Sequence, residues 1–184
     1  MAKNDNPHAL RFLESMEKHG EKEAANRFSE EYPLAKSADY IKKFTWAKDV
    51  CEFLDTNYDE ELIKLVRMDC ACGPEYGKGA KIKALYEKDD NPDVFVHKVN
   101  KLNLGFTFEY DGTYYYLIYP QCYCSCVKRM EEPISKIWCY CTLGYSKRMF
   151  ENIFNCEVQV ELLESVKLGN QQCRIRVKKI VTNK

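Results

Sequence analysis

The stretch GFTFEYDGTYYYLIYP, residues 105–120, decides the fold. Two runs alternate with a period of two, and Asp111-Gly112 stands between them, the strongest short-range pattern for a β-hairpin. Pairing across that turn puts Phe106, Phe108 and Tyr110 on one face with Tyr115, Leu117 and Tyr119. Pro120 carries no N–H and ends the second strand.

Upstream of this stretch the apolar period is 3.6. PHALRFLESMEKHG opens on Pro7 and stops at Gly20, EKEAANRFSEEY follows, and SADYIKKFTWAKDVCEFLDTN starts with Ser37 as N-cap. The third helix carries Tyr40, Ile41, Phe44, Val50, Phe53 and Leu54 on one broad face. DEELIKLVRMDC, a segment near PEYGKGAKIKALYEK and PDVFVHKVNKLNLG, closed by Gly105, continue the helical series. Downstream, SKIWCYCTLGYSKRMFENIF is helical, and NCEVQVELLESV and NQQCRIRVKKIV are strands joined at Leu168-Gly169-Asn170. The order of elements predicts an α+β fold: N-terminal helices on a four-stranded antiparallel sheet, with one helix between its two hairpins. We read one domain over 1–184, with a helical part (1–104) and a hairpin–helix–hairpin part (105–184) that holds most of the cysteines.

A chain of 184 residues is long enough for a proper core. Lys plus Arg and Asp plus Glu number 28 each, which argues against nucleic acid or an anionic membrane as partner. The N-terminus lacks the apolar run of a signal peptide, and YYYLIY at 114–119 is too short to cross a bilayer. The expected location is therefore cytoplasmic, where the ten cysteines are thiols, thiolates or metal ligands rather than a disulfide framework.

Seven of the ten fall in alternating sets: Cys70 and Cys72, Cys122, Cys124 and Cys126, and Cys139 and Cys141. Alternate residues of a strand share a face, and thiolates brought together suit a soft ion such as zinc, with iron or copper also accommodated. Cys51 and Cys156, inside apolar-periodic segments, read as small buried hydrophobes. A thiol nucleophile is the competing reading. It would take a base from His8, His19 or His97, or be activated at a helix N-terminus near Cys139 and Cys141. His8 and His19 read as solvated and His97 as a helix-face residue. GPEYGKGAK at 73–81 fails as a phosphate loop in glycine spacing, and Gly79 stands where a hydroxyl should bind magnesium. Arg174, Arg176 and Lys178 share one face of the last strand and read as charge protecting a sheet edge. Tyr115, Tyr119, Trp138 and Tyr145 are candidate aromatic walls of a small-molecule pocket.

CYCTLGY at 139–145, the helix after it and VQVELLESVKLGNQQCRIRV resemble the C-terminal part of the 4-vinyl reductase domain family, over roughly residues 133–180. The region is also similar to bacterial L-2-amino-thiazoline-4-carboxylic acid hydrolase-like proteins. The most specific piece is Glu164-Ser-Val-x2-Gly169-x3-Cys173. The resemblance implies a small-molecule-binding domain with a helix-covered antiparallel sheet, often a dimer. It also implies, from members that bind zinc, thiolate ligands at Cys139 and Cys173. Where those members carry a further cysteine and a glutamate, this chain has Ser165 and Leu162, so a relocated site would draw on Cys122, Cys124, Cys126 or Cys141.

The expectation is a cytosolic, sensor-like small-molecule-binding domain with a thiolate-rich zinc site built from Cys122, Cys124, Cys126, Cys139 and Cys141, with Cys70, Cys72 and Cys173 as further candidates. The alternative is a hydrolase of a small cyclic or amide-like substrate, using one of Cys124, Cys126, Cys139 and Cys141 as nucleophile or as ligand to a catalytic metal. A binding module with reduced, buried thiols and no metal is the third possibility.

Overall fold

The computed structural model describes residues 4–72 and 78–180. Helices α1 (Pro7–Lys18), α2 (Lys22–Glu31), α3 (Tyr40–Asn57), α4 (Glu60–Asp69), α5 (Lys78–Lys88) and α6 (Pro92–Asn100) precede strands β1 (Thr107–Tyr110) and β2 (Tyr115–Tyr119). Helix α7 (Lys136–Phe154) and strands β3 (Val158–Glu164) and β4 (Cys173–Lys179) complete the chain. The fold is α+β with one four-stranded antiparallel sheet, as the sequence predicts. No described helix is long and apolar enough to cross a membrane.

Side-chain caps fix the helix starts. Asn6, Asp39, Asp59 and Asn91 each accept a bond from an amide of the following first turn. Asp39, not Ser37, caps α3, with its carboxylate 2.8 Å from the Lys42 amide. The helix therefore begins at Tyr40, and Tyr40 and Ile41 are 43% and 54% exposed rather than part of the inward face. That face is made instead by Phe44, Trp46, Ala47, Val50, Cys51 and Leu54.

Two compact units divide the chain. The first comprises the described part of Met1–Cys72 together with Tyr123–Gly144, and the second the described part of Gly73–Cys122 with the rest from Tyr145. In the first unit α1 packs on α2 and α4, and α3 on α4. Its core is aromatic: Phe12 meets Phe28 at 5.1 Å, and Trp46 crosses Trp138 edge-on at 6.0 Å. Ser15, buried on α1, donates to the Val66 carbonyl at 2.8 Å and ties α1 to α4.

The second unit holds the sheet, in the order β1-β2-β4-β3. The hairpin register pairs Phe108 with Leu117 and Tyr110 with Tyr115, and the Phe106 and Tyr119 rings touch at 5.8 Å, so the expected face is present. Its inward side chains meet Phe95 of α6 and Phe150 and Phe154 of α7. At the β3–β4 turn Gly169 has φ 92°, a left-handed conformation that a side chain would strain. β4 is a central strand rather than an edge. Arg174 pairs with Glu109 on β1 at 2.7 Å and Arg176 with Glu161 on β3, and each guanidinium stacks on a tyrosine, Tyr116 and Tyr114 respectively. The alternation of charge was read correctly. It marks the open face of the sheet, where Arg174 stacks on Tyr116 of β2 and reaches past it to Glu109 on β1, and Arg176 pairs with β3.

Candidate functional site

The first unit collects an arginine and a ring of thiols. Arg67 lies in the last turn of α4, where a cation suits the helix dipole, yet it is only 2% exposed. Its Nη2 donates to the Trp138 carbonyl at 3.0 Å and its Nε to the Ile137 carbonyl at 3.4 Å. Its guanidinium carbon sits 4.3 Å from the centre of the Trp138 ring. Among the described residues no Asp or Glu pairs with it. Burial works against its charge, and Cys70, Cys141, Cys51 and Cys124 outweigh that and hold its pKa above the usual value.

The thiols differ sharply. After β2 the chain leaves the sheet, and residues 125–129 form a turn in which the Lys128 amide bonds the Cys124 carbonyl at 2.9 Å. Inside this turn stands Cys126, and its thiol is the main cause that brings the Cys124 thiol down to about 6. Burial opposes the fall. The Trp138 indole N–H, 3.3 Å away, and the amides of Cys126 and Val127 support it. Cys126, 2% exposed, is pushed far up by Cys124 and by burial. Burial raises Cys51 to about 11 and raises Cys70 and Cys141, with Arg67 pulling each of them back. Near neutral pH Cys124 is favoured as a thiolate, while Cys51, Cys70, Cys126 and Cys141 are held protonated.

His8 also reaches this turn. Arg11 Nη2 donates to its Nδ1 at 3.1 Å, and since guanidinium is donor-only, the ring is neutral with its proton on Nε2. That proton goes to Ser125 Oγ at 2.9 Å. Burial, then Arg11, Arg67 and Lys43, push the His8 pKa down to about 4. His8 and His19 are therefore not free in solvent: His19 pairs with Asp69 at 2.9 Å. His97 lies on α6 in the second unit.

The alternation of cysteines does not carry over into shared faces. It does so only in a strand, and none of the three sets lies in one. Cys139 and Cys141 sit on α7, where two residues turn about 200°. Cys70 caps α4, and Cys72 follows it in irregular chain. Cys122 belongs to the second unit, as does Cys173, whose sulfur accepts from the Val166 amide at 3.4 Å. Cys139, expected as the zinc partner of Cys173, is in the first unit. No described group of three or more His, Cys, Asp or Glu side chains could hold a metal ion. Zinc binding therefore has no support from the described residues.

Of the four candidate pocket residues, Trp138 stands in the thiol centre. Tyr115 and Tyr119 are in the sheet, and Tyr145 is in the second unit. That unit has a cavity of about 430 Å³ lined by Lys83, Tyr86, Asp89 and Phe154 among others, and none of the four lines it. Sequence reasoning missed Arg67, because a charged residue in the last turn of an amphipathic helix ordinarily faces water.

These charges make stability depend on pH. Cys124 titrates lower folded than unfolded, so its contribution is complete above pH 9 and is lost as pH falls through about 6. Above pH 9 the raised thiols favour the unfolded chain, where they ionise freely. Urea denaturation should therefore show stability rising from pH 6 toward 9 and declining beyond. The variant C124S should lose the rise. A rise that survives C124S would assign it to another group.

No curated protein matches the chain. Solved structures with a similar course are an H-NOX protein of Shewanella oneidensis in the Fe(II)NO state (15% identity, 96% of this chain and 99% of that one, TM-score 0.45) and a variant of it in the Fe(II) state (13%, 97% and 97%, 0.46). A third is the phenol-responsive sensory domain of the transcription activator PoxR with phenol (13%, 74% and 74%, 0.40). A family model spans residues 8–183, nearly the whole chain, including the helices of the thiol centre and the sheet, and on that match the chain belongs to DUF6144, a family of unknown function.

Proposed function

We propose that the chain is a small-molecule-sensing domain whose receptor group is the Cys124 thiolate. The observation that carries this reading is the Trp138 indole N–H 3.3 Å from that sulfur, at a turn where Cys126 and backbone amides help hold the thiol down to about 6. A thiolate held in this way at neutral pH is nucleophilic, whereas the buried thiols around it stay protonated and inert. Arg67 gives the centre a fixed positive charge, and Arg11, whose Nε is buried without an acceptor among the described residues, offers a donor to an incoming group. The ligand class is a small, soft electrophile or oxidant. The resemblance to 4-vinyl reductase domains supports the binding role. Hydrolysis has less behind it, because the one histidine at the turn is committed to Ser125 and Arg11 and is a weak base.

Iodoacetamide labelling of the reduced protein, mapped by mass spectrometry from pH 5 to 9, tests the proposal. Cys124 should label with a midpoint near pH 6, well below the other thiols. Replacing Trp138 by Phe keeps the ring and removes the N–H, and should raise that midpoint by roughly one to two units, the worth of one bond to a charged acceptor. Uniform labelling above pH 8 would defeat the reading. About one zinc per chain, with Cys124 protected until chelation, would replace it with the soft-metal one.

A further inference from the structure

We infer that the outer edge of β3 is a docking site for a second copy of this chain, with the two copies paired antiparallel about a two-fold axis at Val160. The pairing joins two four-stranded sheets into one. It concerns a different surface from the thiol centre and does not depend on the chemistry proposed there.

The sheet has two edges, β1 and β3, and they are finished differently. On β1 the edge is closed from within. The Asn100 side chain accepts from the Phe108 amide at 2.7 Å and donates to the Phe108 carbonyl at 2.9 Å, as a neighbouring strand would. β3 is longer, seven residues against four. Val158 stands opposite Lys179, and the Ile180 amide reaches the Glu157 carbonyl. That pattern turns the backbone groups of Gln159 and Glu161 toward β4 and those of Val158, Val160 and Leu162 outward. Among the described residues the only bond to this outward row comes from Lys147, whose ammonium reaches the Val158 carbonyl at 3.2 Å. VQVELLE holds no proline or lysine to guard the edge, and Arg176 already pairs with the Glu161 carboxylate. Apolar surface is left open too. Val160 and Leu162 stand opposite the buried Val177 and Ile175, yet both are only half-buried.

The row is complementary to itself, which selects a second copy as its occupant. The register shift between Leu162 and Glu164 ends the regular edge, so it runs from Val158 to Leu162 with Val160 at its midpoint. With Val160 facing its own copy, Val158 faces Leu162 of the second copy and Gln159 faces Glu161, an amide against a carboxylate. The outward amides of each copy then meet the outward carbonyls of the other. Neighbouring registers fail. A midpoint at Glu161 sets two carboxylates opposite each other, and one at Gln159 sets Glu157 against Glu161. A midpoint at Leu162 sets Glu164 against Val160, and one at Val158 runs Leu162 past the end of the strand.

The test is sedimentation velocity of the reduced full-length protein from micromolar to near-millimolar concentration, with hydrogen exchange followed along β3. The protein should dimerise, and the amides of Val158, Val160 and Leu162 should exchange more slowly as it does. Gln159→Glu should weaken the dimer about fivefold, because two like-charge pairs then cross the axis, and added salt should narrow the difference. Gln159→Lys should strengthen it by a similar factor. Gln159 is exposed and stands opposite Lys178 in its own sheet, so the same changes should move monomer stability the other way, Glu raising it and Lys lowering it. That reversal separates edge pairing from folding. Val160→Pro removes an outward amide and should give a folded monomer; if it fails to fold, the Gln159 variants still decide. A protein that stays monomeric throughout, or a dimer that the Gln159 variants leave unchanged, would overturn the inference. Slow exchange of the three amides in dilute, monomeric protein would also overturn it, because the edge would then be covered within the chain.

Discussion

Gly144→Ala should cost the protein about 3 kcal/mol or more, the upper end for overpacking a closed site, and lower its melting temperature by roughly 6–12 °C. The expectation runs against helix propensity, since alanine inside a helix is ordinarily worth about 1 kcal/mol over glycine. Sterics decide the sign. A Cβ on Gly144 would lie 1.9 Å from the Met68 carbonyl oxygen and 2.6 and 2.8 Å from its C and Cα. These are backbone atoms of α4, so no side chain can turn aside, and the two helices would have to part. Gly79 on α5 is the control: its nearest neighbour would be the Asn152 amide at 3.9 Å, and alanine there should be neutral or slightly stabilising. Thermal melts of the two variants settle the matter. If both melt alike, α7 does not touch α4 backbone to backbone. The close approach also serves the site. It brings the carbonyls of Ile137 and Trp138 within reach of Arg67, the neighbour of Met68, so G144A should raise the pH at which Cys124 labels as well as loosen the fold.

What the sequence made legible was local. The hairpin at 105–120, the strands around Gly169 and the seven described helices follow from period and punctuation, and these depend on residues a few positions apart. The site depends on residues that are far apart. Arg67 meets carbonyls 70 and 71 positions away, and His8 meets Ser125 across 117. No pattern inside either segment records such a meeting. The cysteines show the same division. PQCYCSC announces thiol chemistry, but which sulfur is charged depends on the turn at 125–129 and on the Trp138 indole, neither of which the Cys-x-Cys spacing specifies. Alternate cysteines share a face only in a strand, and these segments are turn, cap and helix. A basic strand likewise looks the same from its own residues at the edge and at the centre of a sheet. Only Glu109 and Glu161, on two other strands, decide between them.

Arg67→Ala should be the most damaging single change at the thiol centre, with a loss of about 3–5 kcal/mol, the range for removing one member of a buried charged pair. The Cys124 thiolate would lose a buried counter-charge, the Trp138 ring its cation, and a void would open between α4 and α7. Arg67→Met separates these effects. It fills much of the same volume and carries no charge, and the Ile137 and Trp138 carbonyls lie in the first turns of α7, where helix amides can serve them. The methionine variant should therefore stay folded, with a smaller loss. The chemistry should still change. Without the guanidinium the anionic form of Cys124 is less favoured, and its labelling midpoint should rise by about half a unit or more. Stability should follow. Where Cys124 is ionised in the folded protein, above about pH 6, the methionine variant loses that contribution, so the gap to the unsubstituted protein should be widest near pH 8 and narrow by pH 5.5. Denaturation at those two values and labelling across the range distinguish the roles. If R67M labels at the unchanged midpoint and its deficit does not depend on pH, Arg67 braces the two helices and the turn alone makes the thiolate. If both move together, a buried cation with no carboxylate partner among the described residues is kept because the thiol beside it has to be charged.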